Sequence, residues 1–382
     1  SAVNSNWNNG YAFEFASENI KNNKEFVLDL LKSKSSNYRI LRYVSEKLKN
    51  DREFIMEALK QELKSLDDYK TGNLYISSYA GGGKTYTLIN KVIDKLKGKI
   101  LITSTQYSAL TDYYKLKNEN PDKYEHIDIF VIQKMECTPK LYNNISSYNN
   151  IIIDEGGLMT GNQLDNFIMK CNTMQNIIIT GDPKQLAAIC NNERTHYILM
   201  NGLLNYYFDS EYHLSANMRN HYTKKNYDDM FNRKFKLTSY ELDKVNVISD
   251  NNICFFNKTV KKINAKVVDK MDTVLYNDMK ICNGMKIYTI ENFKDIELFK
   301  NCPLTIERFN SINIVLNTEY GITYEIPKEL FTSKNFQHGY AISLYKVQGR
   351  SIPYDNISFH DFKYIKSEGR MLYVCLSRIK NK

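Results

Sequence analysis

Cysteine is sparse and unpaired in this sequence: seven residues are scattered over 382, with no C-x-x-C pair. That pattern excludes a disulfide framework and a zinc site of close-set thiolates, and it suits a reducing compartment. Long apolar runs are also missing. None approaches the roughly 20 residues that cross a bilayer, and Ser1-Ala2-Val3-Asn4 lacks the basic-then-apolar pattern of a signal peptide. No membrane association is expected, and the expected location is intracellular, in nucleus or cytoplasm. Ser1 is not a natural start and the chain stops four residues after Arg378, which leaves open whether it is a whole protein or a piece of a longer one.

What is present fits a soluble globular protein of two or three domains: 42% hydrophobic and 25% charged residues. The net charge of +9 suits either a polyanionic partner or a solvated basic surface. The 29 tyrosines, with abundant Asn, Lys and Ile, read as the coding bias of an AT-rich genome.

Residues 17–26 recur at 45–54. Ser17, Glu18, Lys21, Asn22, Glu25 and Phe26 each have an identical partner in the second copy. Amphipathic runs follow each copy (Phe26, Leu30, Leu31; Phe54, Ala58, Leu59), so residues 1–70 are expected to form an all-α repeat region of stacked helix pairs. Such a region either packs on the next domain or binds a protein partner.

From residue 71 the pattern alternates. Apolar runs at 73–76, 99–103, 130–132, 150–155 and 176–182 are separated by helical segments, which indicates a parallel sheet covered on both faces. Chemistry in such sheets gathers at the carboxyl ends of the strands. The first run leads into Ser78-Tyr79-Ala80-Gly81-Gly82-Gly83-Lys84-Thr85, and Tyr86 to Leu96 then has helical spacing. A strand, a glycine loop ending in Gly-Lys-Thr and a helix form a phosphate-binding loop. Its expected contacts are Ala80, Gly81, Gly82, Gly83, Lys84, Thr85 and Tyr86, with Lys84 on the β- and γ-phosphates and the Thr85 hydroxyl on Mg²⁺. Ser78 stands where the pattern has its first glycine, so the loop entry must avoid glycine-dependent angles or Ser78 must tolerate them. Asp154 ends another run and is expected to hold Mg²⁺; the adjacent Glu155 is placed to act as general base. Gln185, in Gly181-Asp182-Pro183-Lys184-Gln185-Leu186, can bond a γ-phosphate.

Further on, Ile253 to Phe256 reads as a strand and Asn257 to Asn264 as a helix start. Residues 271–337 turn to short strand-like runs with turn residues, a small β-rich insertion. Tyr373-Val374-Cys375-Leu376 reads as a buried strand before Arg378.

These segments, in this order, resemble the motifs of superfamily 1 helicases, with the Pif1- and RecD-like branch closest. Leu214 to Arg219, Ser343 to Ser351 and Tyr373 to Arg378 complete the set, and the N-terminal copies resemble a short helical repeat of unknown function. The resemblance implies an α/β fold of two RecA-like motor domains, at 71–212 and at 213–382 with the insertion inside the second. It implies an ATP-dependent helicase or translocase, a monomer with ATP and Mg²⁺ as cofactors, moving 5′-to-3′ on single-stranded nucleic acid, with DNA favoured over RNA. By the same resemblance Arg219 and Arg378 read the γ-phosphate, Gly349 lies at the nucleotide, and Thr105, Ser343 and Lys346 touch the strand. Gln61 is either an adenine-reading glutamine or a surface residue of its helix. Two features point toward viral RNA helicases or away from a large strand-splitting pin: Asp154-Glu155-Gly156-Gly157-Leu158-Met159, and the short insertion at 111–126. The rival readings are an RNA helicase and a nucleotide-dependent switch that moves no strand.

Overall fold

The computed structural model describes residues 12–32, 44–49, 51, 53–54, 57, 72–172, 174–182, 184–186, 210–214, 217 and 219–380. A six-stranded sheet holds β1 (Leu74–Ser78), β2 (Ile100–Ser104), β3 (Ile127–Val131), β4 (Asn150–Ile153), β5 (Asn176–Gly181) and β6 (Ser210–Leu214), ordered β3-β2-β4-β5-β1-β6. Every neighbouring pair is parallel. The Ile-rich runs of β4 and β5 have no polar face because both sides are covered: Ile151, Ile152, Ile153 and Ile178 are fully buried. The register pairs Ser77 with Gly181 and Ile153 with Ile179, so the carboxyl ends of β1, β4 and β5 finish at one edge.

The later part of the chain begins with β7 (Asn251–Cys254) and the helix Asn257–Val268. Next come β8 (Val274–Tyr276), β9 (Met279–Ile281), β10 (Lys286–Thr289), β11 (Pro303–Phe309), β12 (Asn313–Asn317), β13 (Thr323–Pro327) and β14 (Phe336–His338). Then follow β15 (Ala341–Ser343), β16 (Ile352–Pro353), β17 (Ile357–Phe359) and β18 (Ile379–Lys380). A second parallel sheet has the order β15-β7-β17, and β16 and β18 pair in parallel beside it. The intervening strands form an antiparallel sheet, β13-β12-β11-β10-β14, and the hairpin β8–β9. That hairpin turns at Asn277, whose φ of 53° is the left-handed conformation a two-residue turn needs.

The antiparallel module is inserted in the second sheet yet packs on the first. The Tyr320 ring stacks at 4.3 Å on Tyr114 and at 6.4 Å on Tyr107, both on the helix Tyr107–Glu119. Asn118 donates to the Tyr320 carbonyl at 2.8 Å, and Lys134 pairs with Glu297 at 2.7 Å. One continuous apolar core runs from Ile102 and Leu110 through Tyr320 to Leu304 and Ile326.

The two N-terminal copies meet. Asn23 and Asp51, equivalent positions, accept from the Phe26 and Phe54 amides at 3.0 and 2.9 Å, the same side-chain cap used twice. Lys24 reaches across to Asp51 and Glu53, and Phe13, Val27, Val44, Leu48 and Phe54 share a small core. Among the described residues no helix is long and apolar enough to cross a membrane.

Four local expectations are corrected. Residues 373–376 are buried but lie in the helix Gly369–Ser377, started by Glu368, whose carboxylate accepts from the Arg370 and Met371 amides. A run buried on every side has no period to separate helix from strand. Ile132 opens the helix Ile132–Cys137 instead of ending β3, and β7 stops at Cys254, before Phe255. The helix after the glycine loop is α-helical only over Lys84–Thr87, then widens to a π turn at Leu88–Val92 and tightens at Ile93–Lys95.

Tyr320→Ala should remove the ring that docks the insertion and cost about 3–5 kcal/mol, the usual loss for a buried aromatic. Urea unfolding followed by circular dichroism checks it. A loss below about 1 kcal/mol, within the range of surface changes, would show that the stack does not carry the docking.

Candidate active site

The glycine loop solves its entry without the usual glycine. Ser78 is the last residue of β1, and the positive φ angles fall later, at Gly81 (82°) and Gly83 (81°). A side chain at Gly83 would be strained where the loop turns into the Lys84–Thr87 helix. Gly82 serves Ser78: a Cβ on Gly82 would lie 2.5 Å from the Ser78 Cβ and Oγ. The serine therefore occupies room that this glycine leaves. Its Oγ donates to the Tyr79 carbonyl at 2.7 Å and accepts from Lys84 Nζ at 3.4 Å.

Asp154, at the end of β4, is only 1% exposed. It survives burial by collecting donors. Thr85 Oγ1 and Tyr113 Oη donate to its Oδ2 at 3.0 and 2.8 Å, while Thr180 Oγ1 and the Glu155 amide donate to Oδ1. Burial pushes its carboxyl above the usual range, Glu155 adds to that, and the hydroxyls and Lys84 oppose it. Glu155 sits in the left-handed region, φ 54°, which turns its carboxylate to within 3.9 Å of Lys84 Nζ. Non-glycine residues held there by their surroundings cluster at functional sites.

Thr85 Oγ1 beside the Asp154 carboxylate offers hard oxygen donors. That fits Mg²⁺, which keeps several waters and takes its remaining ligands from nucleotide phosphates. Bound there, the ion would supply positive charge that offsets the negative charge developing on a transferred phosphoryl group.

The cleft over these groups has a volume of about 270 Å³. Gly81, Gly82, Gly83, Lys84, Thr85, Tyr86, Asp154 and Glu155 line one wall, with Ser108, Ala109 and Asp112 of the Tyr107–Glu119 helix. Arg219, Gly349, Ser351 and Lys380 face them. Gly349, φ 77°, lets the second sheet's segment approach: a Cβ there would be 3.1 Å from Ser108 Oγ, which itself donates to the Gln348 carbonyl. Arg219 donates to the Ser377 carbonyl at 3.2 Å. Burial pushes its guanidinium down to about 10, and Arg378 beside it adds to that. Arg378, 1% exposed, donates to Ser377 Oγ and to the Arg350 carbonyl. Neither guanidinium has an ion-pair partner among the described residues.

Not every expected residue reaches this cleft. Ala80 does not line it, because its amide donates to Tyr373 Oη at 2.7 Å. Gln185 is turned away, donating to Asp182 at 3.2 Å, while its Oε1 is buried without a partner. Arg378 lies behind Arg219. Thr105 Oγ1 is buried and unpaired, and Ser343 ends β15. Lys346 lies 6.0 Å from the Tyr288 ring, its ammonium pushed down to about 8 by burial and then by Lys300. Gln61 falls outside the described residues, as do Ser215, Ala216 and Met218 of the segment ending in Arg219. Sequence reasoning missed Tyr113 and Thr180, the two hydroxyls on Asp154. Thr180 had a signal, since it ends an apolar run one place before Gly181-Asp182; Tyr113 had none.

Residues 74–274, more than half of the chain, match the family described as the viral superfamily 1 RNA helicase core domain. Residues 3–41 and 35–70 match a domain of unknown function (DUF4116). No curated protein sequence matches the chain. Among solved structures it is similar to Bacteroides Pif1 bound to single-stranded DNA, with 14% identity, a TM-score of 0.59, and coverage of 85% of this chain and 92% of that one. It is also similar to the Pif1 helicase of Candida albicans, with 15% identity, a TM-score of 0.53, and coverage of 86% and 91%. At such identities the likeness is one of fold.

Gly82→Ala should drive a methyl into Ser78 and weaken ATP binding roughly tenfold, within the 1–3 kcal/mol typical of overpacking. Adding Ser78→Gly should restore most of the affinity. Equilibrium titration with a fluorescent ATP analogue measures both, and absence of rescue would remove Ser78 as the obstacle.

Proposed function

Because the chain belongs to the superfamily 1 helicases, ATP-driven enzymes, we propose that it translocates along single-stranded nucleic acid by closing and opening the cleft on ATP. The observation that carries this reading is Arg219, which lines the same cleft as Lys84, Asp154 and Glu155, with the buried Arg378 behind it and no ion-pair partner for either guanidinium among the described residues. Two neighbouring guanidiniums whose hydrogen bonds go to neutral acceptors favour an anion at the cleft. A nucleotide triphosphate has that charge, and the arginine fork suits its oxygens.

In this reading Lys84 holds the β- and γ-phosphates, and Thr85 and Asp154 hold Mg²⁺. Glu155 takes the proton of the water that attacks the γ-phosphorus as the bond to the β-phosphate oxygen breaks. Gln185 and Arg378 move to the γ-phosphate on closure, and Arg219 is already at the cleft. The motor domains span 71–212 and 213–382, with the repeat region at 1–70. Thr105, Ser343 and Lys346 lie along the track, where phosphate contacts and stacking grip the strand in nucleus or cytoplasm.

DNA with 5′-to-3′ movement is the favoured track, supported by the single strand of DNA in the Bacteroides structure of like fold. RNA is the second reading, favoured by the family's description.

Lys84→Ala should abolish hydrolysis, and Glu155→Gln should bind ATP but turn over about 10²–10⁴-fold more slowly, the worth of a positioned base. Normal hydrolysis by Glu155→Gln would displace it from that role. Arg378→Ala should lose at least ~100-fold, a conservative bound for an arginine finger. ATPase rates with single-stranded DNA and RNA decide the track. Stimulation by neither would leave a nucleotide switch that moves no strand.

A further inference from the structure

Tyr373 is fully buried on the helix Gly369–Ser377, and its hydroxyl is the meeting point of three segments. It accepts the amide of Ala80, inside the glycine loop, at 2.7 Å, and donates to Asp182 Oδ2 just beyond β5. One hydroxyl thus uses both its donor and its acceptor capacity, joining the helix Gly369–Ser377 to two segments at the edge of the first sheet. Burial, then Asp182, pushes the phenol well above its usual range, so it stays protonated and able to donate. The site is reinforced from the same side. The Tyr227 ring meets Tyr373 edge-on at 5.0 Å, its hydroxyl lies 3.2 Å from the Ala80 carbonyl, and Tyr79 stacks on it at 5.7 Å. Both backbone polar groups of one loop residue are therefore within reach of tyrosines belonging to the other half of the molecule. Asp182 also receives the Gln185 amide. Five residues beyond Tyr373, Arg378 caps the same helix. At 1.5 Å per residue the two are about 7.5 Å apart along a rigid axis.

We propose that Tyr373 is a positioning residue: its hydroxyl, clasped between Ala80 N–H and Asp182, sets the distance of this helix from the phosphate loop and thereby aims Arg378. The inference rests on the function proposed above. A shift of the loop on filling pulls on the Ala80 amide, and the helix carries that shift to its end. Phenylalanine would keep the ring packing against Tyr227 and lose the clasp.

The test is a double-variant cycle on the full chain, Tyr373→Phe with Arg378→Ala, reading kcat and KM for ATP with saturating single strand. Tyr373→Phe should lower kcat roughly 10- to 100-fold, as expected for a bond to a charged group. Its KM should move less than about threefold, because loop binding itself is spared. In the Arg378→Ala background the same change should cost no more than about twofold, the scatter of independent sites. A merely structural tyrosine would give losses that multiply, and that result, or an unchanged kcat, overturns the inference. Should Tyr373→Phe fail to fold, Asp182→Ala removes the acceptor and should show the same dependence on Arg378. Asp182→Asn retains an acceptor and should recover most of kcat; no recovery counts against the clasp. If Arg378→Ala alone hydrolyses ATP normally, the proposed function fails at its arginine and this inference falls with it. If Arg378→Ala is impaired and Tyr373→Phe is not, only this inference fails.

Discussion

A carboxylate can stay in a desolvated place only if something else gives it donors, and Asp154 imposes that requirement on everything around it. It ends β4 at 1% exposure. The donors come from four places: Thr85 after the glycine loop, Tyr113 on the helix beyond β2, Thr180 in β5 and the next amide in the chain. Each of the first three belongs to a different neighbour in the sheet order. The strand order that sets β4 beside β2 and β5, with β1 one place further, is what brings them together. Hydrogen bonds to a charged acceptor are worth more than neutral ones, and losing one here would leave a buried charge undersatisfied. The edge at which the three strands end is thus pinned by one side chain.

Charge is unevenly divided across the cleft. One wall sets Lys84 against Asp154 and Glu155, two carboxylates to one ammonium, which leaves room for a divalent cation. Arg219 also lines the cleft, with Arg378 buried behind it. In the proposed function Thr85 and Asp154 would hold the cation of a magnesium–triphosphate complex, and Lys84 and Arg219 would meet its anionic oxygens. In the proposed function, a ligand bound more tightly by the closed arrangement than by the open one supplies the free energy of closure.

The first sheet was largely legible because β1, β4 and β5 are continuous apolar runs followed by punctuation: Gly-rich, Asp-Glu and Gly-Asp. Where runs cross an element boundary the reading slipped. Phe130-Val131-Ile132 passes from β3 into a helix without any polar interruption, and Tyr373 to Leu376 is buried on all sides as a helix. Half of the site was legible for a like reason, since a glycine loop and a strand-end acid are local signals. Tyr113 and Tyr373 were not, because their roles exist only once a helix lies beside a sheet. The substitution of Ser78 for glycine was a local puzzle with a local answer, four residues away at Gly82.

The insertion adds a mechanical constraint that composition alone does not suggest. Successive residues of a strand point to opposite faces. In β10, Ile287 belongs to the core shared with the first sheet, while Tyr288 belongs to the core of the second. The strand therefore has one face in each half of the molecule. On the Ile287 side the contact is apolar and continuous as far as Ile102 and Leu110. On the Tyr288 side the ring also lies under the Arg350 guanidinium at 5.2 Å, two residues beyond Gln348, whose own amide reaches the Leu186 carbonyl. A displacement of the second sheet has to pass this seam. It meets aromatic and cationic groups there, whose contacts are weaker and less demanding of fit than interdigitated aliphatic packing. The insertion is thus bound to the first sheet by its better-packed face, although the chain enters and leaves it through the second.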